Sequence, residues 1–259
     1  MNLWTSGLMA AAAPGGIAAW FDNFKMEFTL NFIMKDRWKL LLSGLQNTLI
    51  IALFACLIGI ALGILVAAVR TTWDKNGPTM HKSLGKSLLR FFDWLCRVYT
   101  TVIRGTPVVV QLMIMYYIIF ASSDNGVLIA TLAFGFNSGA YVAEIFRGGI
   151  MSIDKGQFEA GRSLGLNYLQ TMRFIIAPQV LKTVLPTLAN EFIVLLKETS
   201  VAGYVAVADL TFAGNRIRGV TYSAFMPLIA VAVIYLVLVM FFSWLVGKLE
   251  RRLRQSDNR

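Results

Sequence analysis

Leu49–Val69 is a run of 21 residues without one charged side chain, and Met226–Val246 is a second run of the same length and kind. A helix apolar on every face has no side to show to water. About 20 such residues are what a helix needs to cross the hydrocarbon of a bilayer. Lipid cannot satisfy open backbone groups, and nothing here alternates as a barrel strand does, so the chain must cross as helices. Composition agrees: hydrophobic residues make up 57% and charged residues 15%, against about 25% charged in an ordinary soluble domain, and mean hydropathy is +0.64. These values exclude a soluble nucleic-acid-binding globule, a disordered chain and a disulfide-stapled secreted domain. Cys56, Cys96 and the single histidine, His81, stand in unrelated contexts. They cannot assemble a zinc site, and histidine-based acid–base catalysis has little to work with.

Three further spans complete an all-α membrane protein of five core helices. Val127–Phe146 carries only Glu144. Val108–Ala121 is short, but Leu95–Ile103 precedes it and Arg104-Gly105-Thr106-Pro107 separates the two, which reads as one broken span. Phe174–Leu196 is apolar yet holds Pro178, Lys182, Pro186, Asn190 and Glu191. With the N-terminus outside, the inner segments 70–107, 147–173 and 248–259 hold 16 Lys and Arg, and the outer segments 1–48, 122–126 and 197–225 hold 7. The cytoplasmic preference of Lys and Arg therefore gives N-out, C-in in the cell membrane. It also accounts for the net charge of +10 without nucleic acid. Lys35, Arg37 and Lys39 at the outer end of the first span run against the rule.

Segments outside the spans carry patterns of their own. Residues 1–46 form an extracytoplasmic segment, 47–247 the membrane domain and 248–259 a basic cytoplasmic tail. The first 24 residues lack Lys and Arg, so there is no ordinary secretory signal. Ala10–Ala13, followed by Pro14 and two glycines, reads as a flexible lead. Trp20, Phe21, Phe24, Phe28, Phe32 and Trp38 then give either an aromatic segment at the membrane interface or an added hydrophobic turn with no role of its own. In residues 80–98, Leu84, Leu88, Phe91, Phe92, Leu95 and Val98 share a face, with Lys82, Lys86, Arg90 and Arg97 elsewhere, as in an amphipathic helix on the inner surface. In Arg147–Arg173, Asp154 can cap a helix starting near Lys155, Phe158, Arg162 and Leu166 recur at helical spacing, and Gly165 ends it. Pattern alone leaves that helix as a solvated connector or as a docking element.

Here the sequence resembles a known family. Gly156-Gln157-Phe158-Glu159-Ala160-Gly161, then Gly165, Ile175 and Pro178, is similar to the "EAA" loop of ABC importer permeases, with Gly161 for the second alanine and Ala177 for the leucine. Arg104-Gly105-Thr106-Pro107 with Gln111-Leu112, the run Ala140–Ile150, Leu196-Lys197-Glu198-Thr199-Ser200 and the entry Leu42–Leu49 resemble the polar amino-acid branch, over roughly residues 40–250. The resemblance implies a type I importer permease with a cytoplasmic coupling helix, working as a dimer of permease subunits, identical or related. It implies separate ATPase subunits that receive the coupling helix and use ATP and Mg²⁺, and an extracytoplasmic amino-acid-binding protein. It assigns ATPase coupling to Gly156, Gln157, Glu159, Ala160, Gly161 and Gly165. The chain itself binds no cofactor and is not an enzyme: Gly85-Lys86-Ser87 lacks the P-loop's first glycine, a position held by Met80.

Charges inside a span are costly and are functional suspects by default. On the fourth span Gln179, Lys182, Thr183, Pro186, Thr187, Asn190, Glu191 and Glu198 form one polar stripe opposite Val180, Val184, Leu188, Phe192 and Leu195. Asn137, Tyr141 and Glu144 form a shorter one on the third, and two facing stripes would line a wet path. The alternative is hydrogen bonding between helices or, for Glu144, pairing with Arg147. Lys197, Glu198, Thr199 and Ser200 offer a carboxylate for a substrate ammonium and an ammonium and hydroxyls for its carboxylate; the competing reading is a snorkelling Lys–Glu pair. Asp209, Arg216 and Arg218 are assigned to contact with a binding protein or to an outer gate. Gly59-xxx-Gly63 and Gly135-xxx-Gly139 read as packing within the subunit. The rival functions are an ion-coupled carrier or channel working through Glu144, Glu191 or Glu198, and a membrane scaffold.

Overall fold

The structure, a computed structural model, describes residues 16–77, 80, 81 and 83–255. The flexible lead Ala10–Ala13, Lys82 and the last four residues of the basic tail lie outside the described residues. The helices are α1 Gly16–Phe28, α2 Trp38–Asn76, α3 Leu84–Gly105, α4 Val108–Ile114, α5 Gly126–Met151, α6 Lys155–Ser163, α7 Tyr168–Thr171, α8 Ala177–Glu198, α9 Leu210–Thr221 and α10 Phe225–Gln255. A π-helical turn, Met172–Ile176, joins α7 to α8, and a 3₁₀ stretch, Thr199–Val205, extends α8. Four stretches are long and apolar enough to cross a membrane: Trp38–Lys75, Gly126–Met151, Tyr168–Val205 and Phe225–Leu253. The broken pair Leu84–Gly105 and Val108–Ile119 makes the fifth, bent by 110°.

The break is local chemistry. Pro107 lacks an N–H and forces the residue before it out of helical geometry, and Thr106 is extended. The Gln111 side chain then donates to the orphaned carbonyl oxygens of Ile103 at 2.7 Å and Thr106 at 3.1 Å. The pair still traverses the bundle. At one end Arg97 donates to Asp74 near the end of α2; at the other Tyr116 lies against Gly126 and Val207.

α5 is the central helix, two-thirds buried along its apolar window, whereas α10 is almost wholly open to lipid. The two glycine pairs pack against each other's helix. Gly59 faces Ser138 and Gly63 faces Val142 on α5; Gly135 faces Ile58 and Gly139 faces Leu62 on α2. Packing within the subunit is therefore what these glycines do. At the end of the bundle remote from α6, the segment Gly203–Tyr222 is not an open loop. It holds α9, packed on α2 through Asn47, whose amide donates to the Ala208 carbonyl at 2.9 Å, and Thr48, whose hydroxyl accepts from the Leu210 N–H at 3.1 Å. Asp209 is fully buried and caps α9 by accepting the Thr211 and Phe212 N–H groups. Burial pushes its carboxyl above the usual range, against those hydrogen bonds. This corrects the assignment of Asp209 to a binding-protein contact or gate: it holds α9 in place, while Arg216 and Arg218 remain exposed.

A methyl group at Gly135 would stand 2.8 Å from Ile58 Cγ2, whereas at Gly148, on the same helix, it meets nothing within 4 Å. Gly135→Ala is expected to destabilise by about 1–3 kcal/mol through overpacking. Gly148→Ala is expected to stabilise by up to about 1 kcal/mol through helix propensity. Thermal unfolding of the purified protein in detergent checks this, and shifts of the same sign for both would refute the crossing.

Candidate functional site

Two features converge on α6 and α8. The first is the loop helix. Asp154 Oδ1 accepts from the Gly156 N–H at 2.6 Å and starts α6. At its end the Leu166 N–H bonds the Gly161 carbonyl at 3.0 Å and the Gly165 N–H bonds that of Arg162 at 2.9 Å. Gly165 has φ +76°, the left-handed position this closing motif requires and glycine supplies. Phe158 tucks inward under the Lys75 ammonium, 3.1 Å from the ring centroid, and Gln157 accepts from Gln179 of α8 at 3.3 Å. Gly161 is buried because its Cα lies under Thr171, which would stand 2.6 Å from any Cβ there. Gly156, Glu159 and Ala160 face outward. Beyond them Leu164, outside the spans, and Leu169, at the very start of the Tyr168–Val205 stretch, are 75% and 74% exposed.

The second is the polar stripe of α8. Val180, Val184, Leu188 and Leu195 are buried in the bundle, and Lys182, Thr183, Thr187 and Asn190 are exposed. Glu191 is the half-buried member where α8 meets α5, and accepts a hydrogen bond from Ser138 at 2.9 Å. Lys197 is exposed and Glu198 half-buried. Among the described residues neither makes a side-chain hydrogen bond or ion pair, with each other or elsewhere. Ser200 is half-buried. Thr199 is fully buried with its hydroxyl on the Leu196 carbonyl at 2.8 Å, so the fold withdraws it from any ligand contact.

The short stripe of α5 does not face α8. Asn137 is 3% exposed and donates to Gln111 at 2.9 Å, bracing the broken span rather than lining a path. Tyr141 is exposed beneath the Arg104 guanidinium, 5.5 Å away. Glu144 bridges Arg70 of α2 and Arg147, which is the pairing alternative with a second partner added. A stripe fixes an angle around its own helix, not the neighbour that fills it. Ser138, Gln111, Arg70 and Arg104 were the residues without an assigned part in the site. Ser138 adjoins Asn137 on the side α8 occupies, and Gln111 lies one turn beyond Pro107.

Residues 83–255 match the family described as binding-protein-dependent transport system inner membrane component. The chain belongs to this family. It is 34% identical over 220 residues to the arginine transport system permease protein of Bacillus subtilis (strain 168), covering 84% of this chain and 94% of that protein. It is 37% identical over 221 residues to the glutamine transport system permease protein of Escherichia coli (strain K12), covering 83% and 93%. A crystal structure of an amino acid ABC transporter superposes with TM-score 0.73 at 38% identity, covering 85% of this chain and 96% of that one. An inward-facing methionine ABC transporter shares the fold at TM-score 0.69 and 18% identity, covering 83% and 97%. A multi-pass inner-membrane permease subunit is thus what the spans build, and an ion-coupled carrier or channel is not favoured.

Within this family's loop, Gly161 stands where the resemblance has alanine, and Thr171 occupies the space of the missing methyl. Gly161→Ala is expected to loosen α6 on α7, and Thr171→Ala to restore it, because the Thr171 hydroxyl is buried without a partner. The coupling between contacting residues is expected at about 0.5–3 kcal/mol. Limited trypsin cleavage at Arg162 and Arg173 reads it; a double variant cleaved as fast as Gly161→Ala would overturn the account.

Proposed function

We propose that this subunit imports polar amino acids delivered by an extracytoplasmic binding protein, paired with a second permease and driven by separate ATPase subunits that use ATP and Mg²⁺. The observation that carries the coupling is α6: capped at both ends, pinned through Gly161 and Gln157, and presenting Glu159, Ala160 and Leu164 outward. The relatives' named cargoes, arginine and glutamine, share an α-ammonium and an α-carboxylate. Glu198 supports the choice of cargo: a half-buried carboxylate next to the exposed Lys197, with no hydrogen bond or ion pair among the described residues, can receive an ammonium. Asn190 and Glu191 continue that stripe about two turns away. Closure of the ATPase pair moves α6, and α8 rocks against α5 so that the stripe is reached from alternate sides.

Two variants separate coupling from substrate contact. Glu159→Lys is expected to abolish uptake and co-purification with the ATPase while membrane insertion stays intact. Glu198→Gln is expected to leave co-purification intact and weaken uptake about ten- to hundredfold, the loss of one charge-assisted hydrogen bond of about 1.5–3 kcal/mol. ATPase stimulation by the loaded binding protein should fall much less. Wild-type uptake by Glu159→Lys sinks the coupling role, and a loss of the size of an exposed pair, about 0–1 kcal/mol, sinks the substrate contact.

The charge bias of 16 Lys and Arg against 7 supports N-out, C-in, with α6 on the cytoplasmic side. A reporter active only in the cytoplasm is expected to work after Arg259 and to be silent within Ser122–Gly126. Activity in that loop would reverse the second and third spans.

A further inference from the structure

A cleft of about 430 Å³ opens between α2, α3 and α5, on the α6 side of the Thr106–Pro107 break, away from the α8 stripe. Its walls are Arg70, Arg97, Thr100, Thr101, Arg104 and Glu144. Glu144 lies seven residues before the end of α5, about 10 Å along the helix from Met151.

The ion pairs around it do not balance. Arg70 and Arg147 share Glu144; Arg97 donates to Asp93 at 2.8 Å and to Asp74 at 3.2 Å, and Arg147 lies 3.9 Å from Asp74. Four guanidinium groups, with Arg104, face three carboxylates. The excess cation is Arg104. Among the described residues it has no hydrogen bond or ion pair, only the Tyr141 ring 5.5 Å from its central carbon. A second donor is unused. Arg70 is 9% exposed, and its Nε–H is buried with no partner. Asp93 Oδ1 is also without a partner, but its other oxygen already holds Arg97 and it does not line the cleft. Thr100 donates to carbonyls of its own helix; the Thr101 hydroxyl is not so engaged.

A buried guanidinium N–H without a partner is expensive, and Arg104 beside it is an exposed cation that no neighbouring carboxylate neutralises. One group that carries negative charge on oxygen would pair with both. We propose that this cleft is an oxyanion site, in which Arg104 and the Arg70 Nε–H bind a carboxylate or a phosphate group with the Thr101 hydroxyl beside them. Two sources supply that chemistry: the carboxylate or phosphate of a soluble solute, and the phosphate of a phospholipid headgroup drawn in along the apolar face of α3, where Trp94, Val98 and Val102 are exposed. The proposal does not depend on the cargo being an amino acid, and its test reads no transport.

Gly105 borders the cleft with nothing within 4 Å of its absent Cβ. Gly105→Cys, in a chain with Cys56→Ala and Cys96→Ala, places a thiol there without touching the donors. The permease–ATPase complex is reconstituted in nanodiscs of a phosphate-free galactolipid and titrated with a sulfonate-bearing and a trimethylammonium-bearing methanethiosulfonate. The anionic reagent is expected to react about tenfold faster or more, as a cleft of one sign concentrates the opposite charge. Inorganic phosphate or acetate at about 10 mM is expected to slow it about tenfold for a Kd of about 1 mM. If only phosphatidylglycerol in the nanodisc slows it, the oxyanion is a lipid phosphate. Arg104→Gln should remove preference and protection together, and Arg104→Lys should retain both. Equal rates for the two reagents, or no protection by phosphate, acetate or phosphatidylglycerol, would overturn the proposal. Arg104 is the variant of choice because Arg70 also holds Glu144, and its loss would strand a carboxylate.

Discussion

Gly59 and Gly63 of α2 meet α5, and Gly135 of α5 meets α2, at distances no Cβ would allow, while Gly139 lies close against Leu62 of α2 and would clash with the Tyr99 hydroxyl of α3. Lipid is as apolar as leucine, so helices in a bilayer gain nothing by hiding apolar surface from it. They hold by close dispersion contact and by hydrogen bonds. Backbone contact over two turns fixes the register of α2 on α5. That register puts Arg70 beside Glu144. It also sets Ser138 at the crossing, with Gly59 on one side and Glu191 of α8 on the other. The α5 groups that meet charge are placed by this contact before any charge acts.

Polar groups then sort by depth. At the α6 end four guanidiniums and three carboxylates form one layer. Near the middle, neutral groups meet neutral or singly charged ones: Tyr99 on the Phe136 carbonyl, Asn137 on Gln111, Ser138 on Glu191. At the far end Asn47, Thr48 and Asp209 tie α9 to α2 through backbone groups. The order follows from solvation: networks of full charge sit where water and headgroups are near, and single dipoles suffice in the interior. Lys182, Thr183, Thr187 and Asn190 of the α8 stripe are exposed on the subunit's surface.

What the sequence discloses follows the same division. Spans, the break at Pro107, the Asp154 cap and the Gly165 stop are local: hydropathy, proline geometry and left-handed glycine act over a few residues. The packing role of the four glycines was legible because small residues at that spacing let a helix approach closely; only the structure places the partner helix within the subunit. The direction of the α5 stripe was not. Asn137 and Ser138 differ by 100° around one helix, and only the position of α4 and α8 decides that Ser138 meets the carboxylate. α9 stayed hidden in Gly203–Tyr222 because Arg216, Arg218 and two glycines give it the composition of a loop. Its stability comes from the Asp209 cap and from Leu210, Ala213 and Ile217 buried against α2 and α10. Thr199 read as a ligand by type, yet a threonine in a helix can always spend its hydroxyl on the preceding turn.

The link between α6 and the α8 stripe is stiff for a structural reason. From Tyr168 to Val205 the chain is one continuous helical rod with a π turn and no break. Pro178 sits in the first turn after that π turn, and Pro186, in the helix interior, removes one hydrogen bond between the foot of the rod and Asn190, Glu191 and Glu198. α6 is clamped to the foot of this rod by Gly161 on Thr171 and by Gln157 on Gln179. A force on the outward face of α6 therefore cannot be absorbed by a flexible linker between Gly165 and α8, since the left-handed glycine closes the helix instead of releasing it. The rod has to tilt. Its contacts with α5 include the apolar packing of Val180 and Val184 on Gly149, the cluster of Leu188 with Val142 and Phe146, and the hydrogen bond from Ser138 to Glu191. Apolar contacts on a glycine slide without leaving a group unsatisfied, whereas that hydrogen bond is either made or lost. The Ser138–Glu191 hydrogen bond is a polar contact that a tilt of α8 on α5 would break, leaving the carboxylate without that donor.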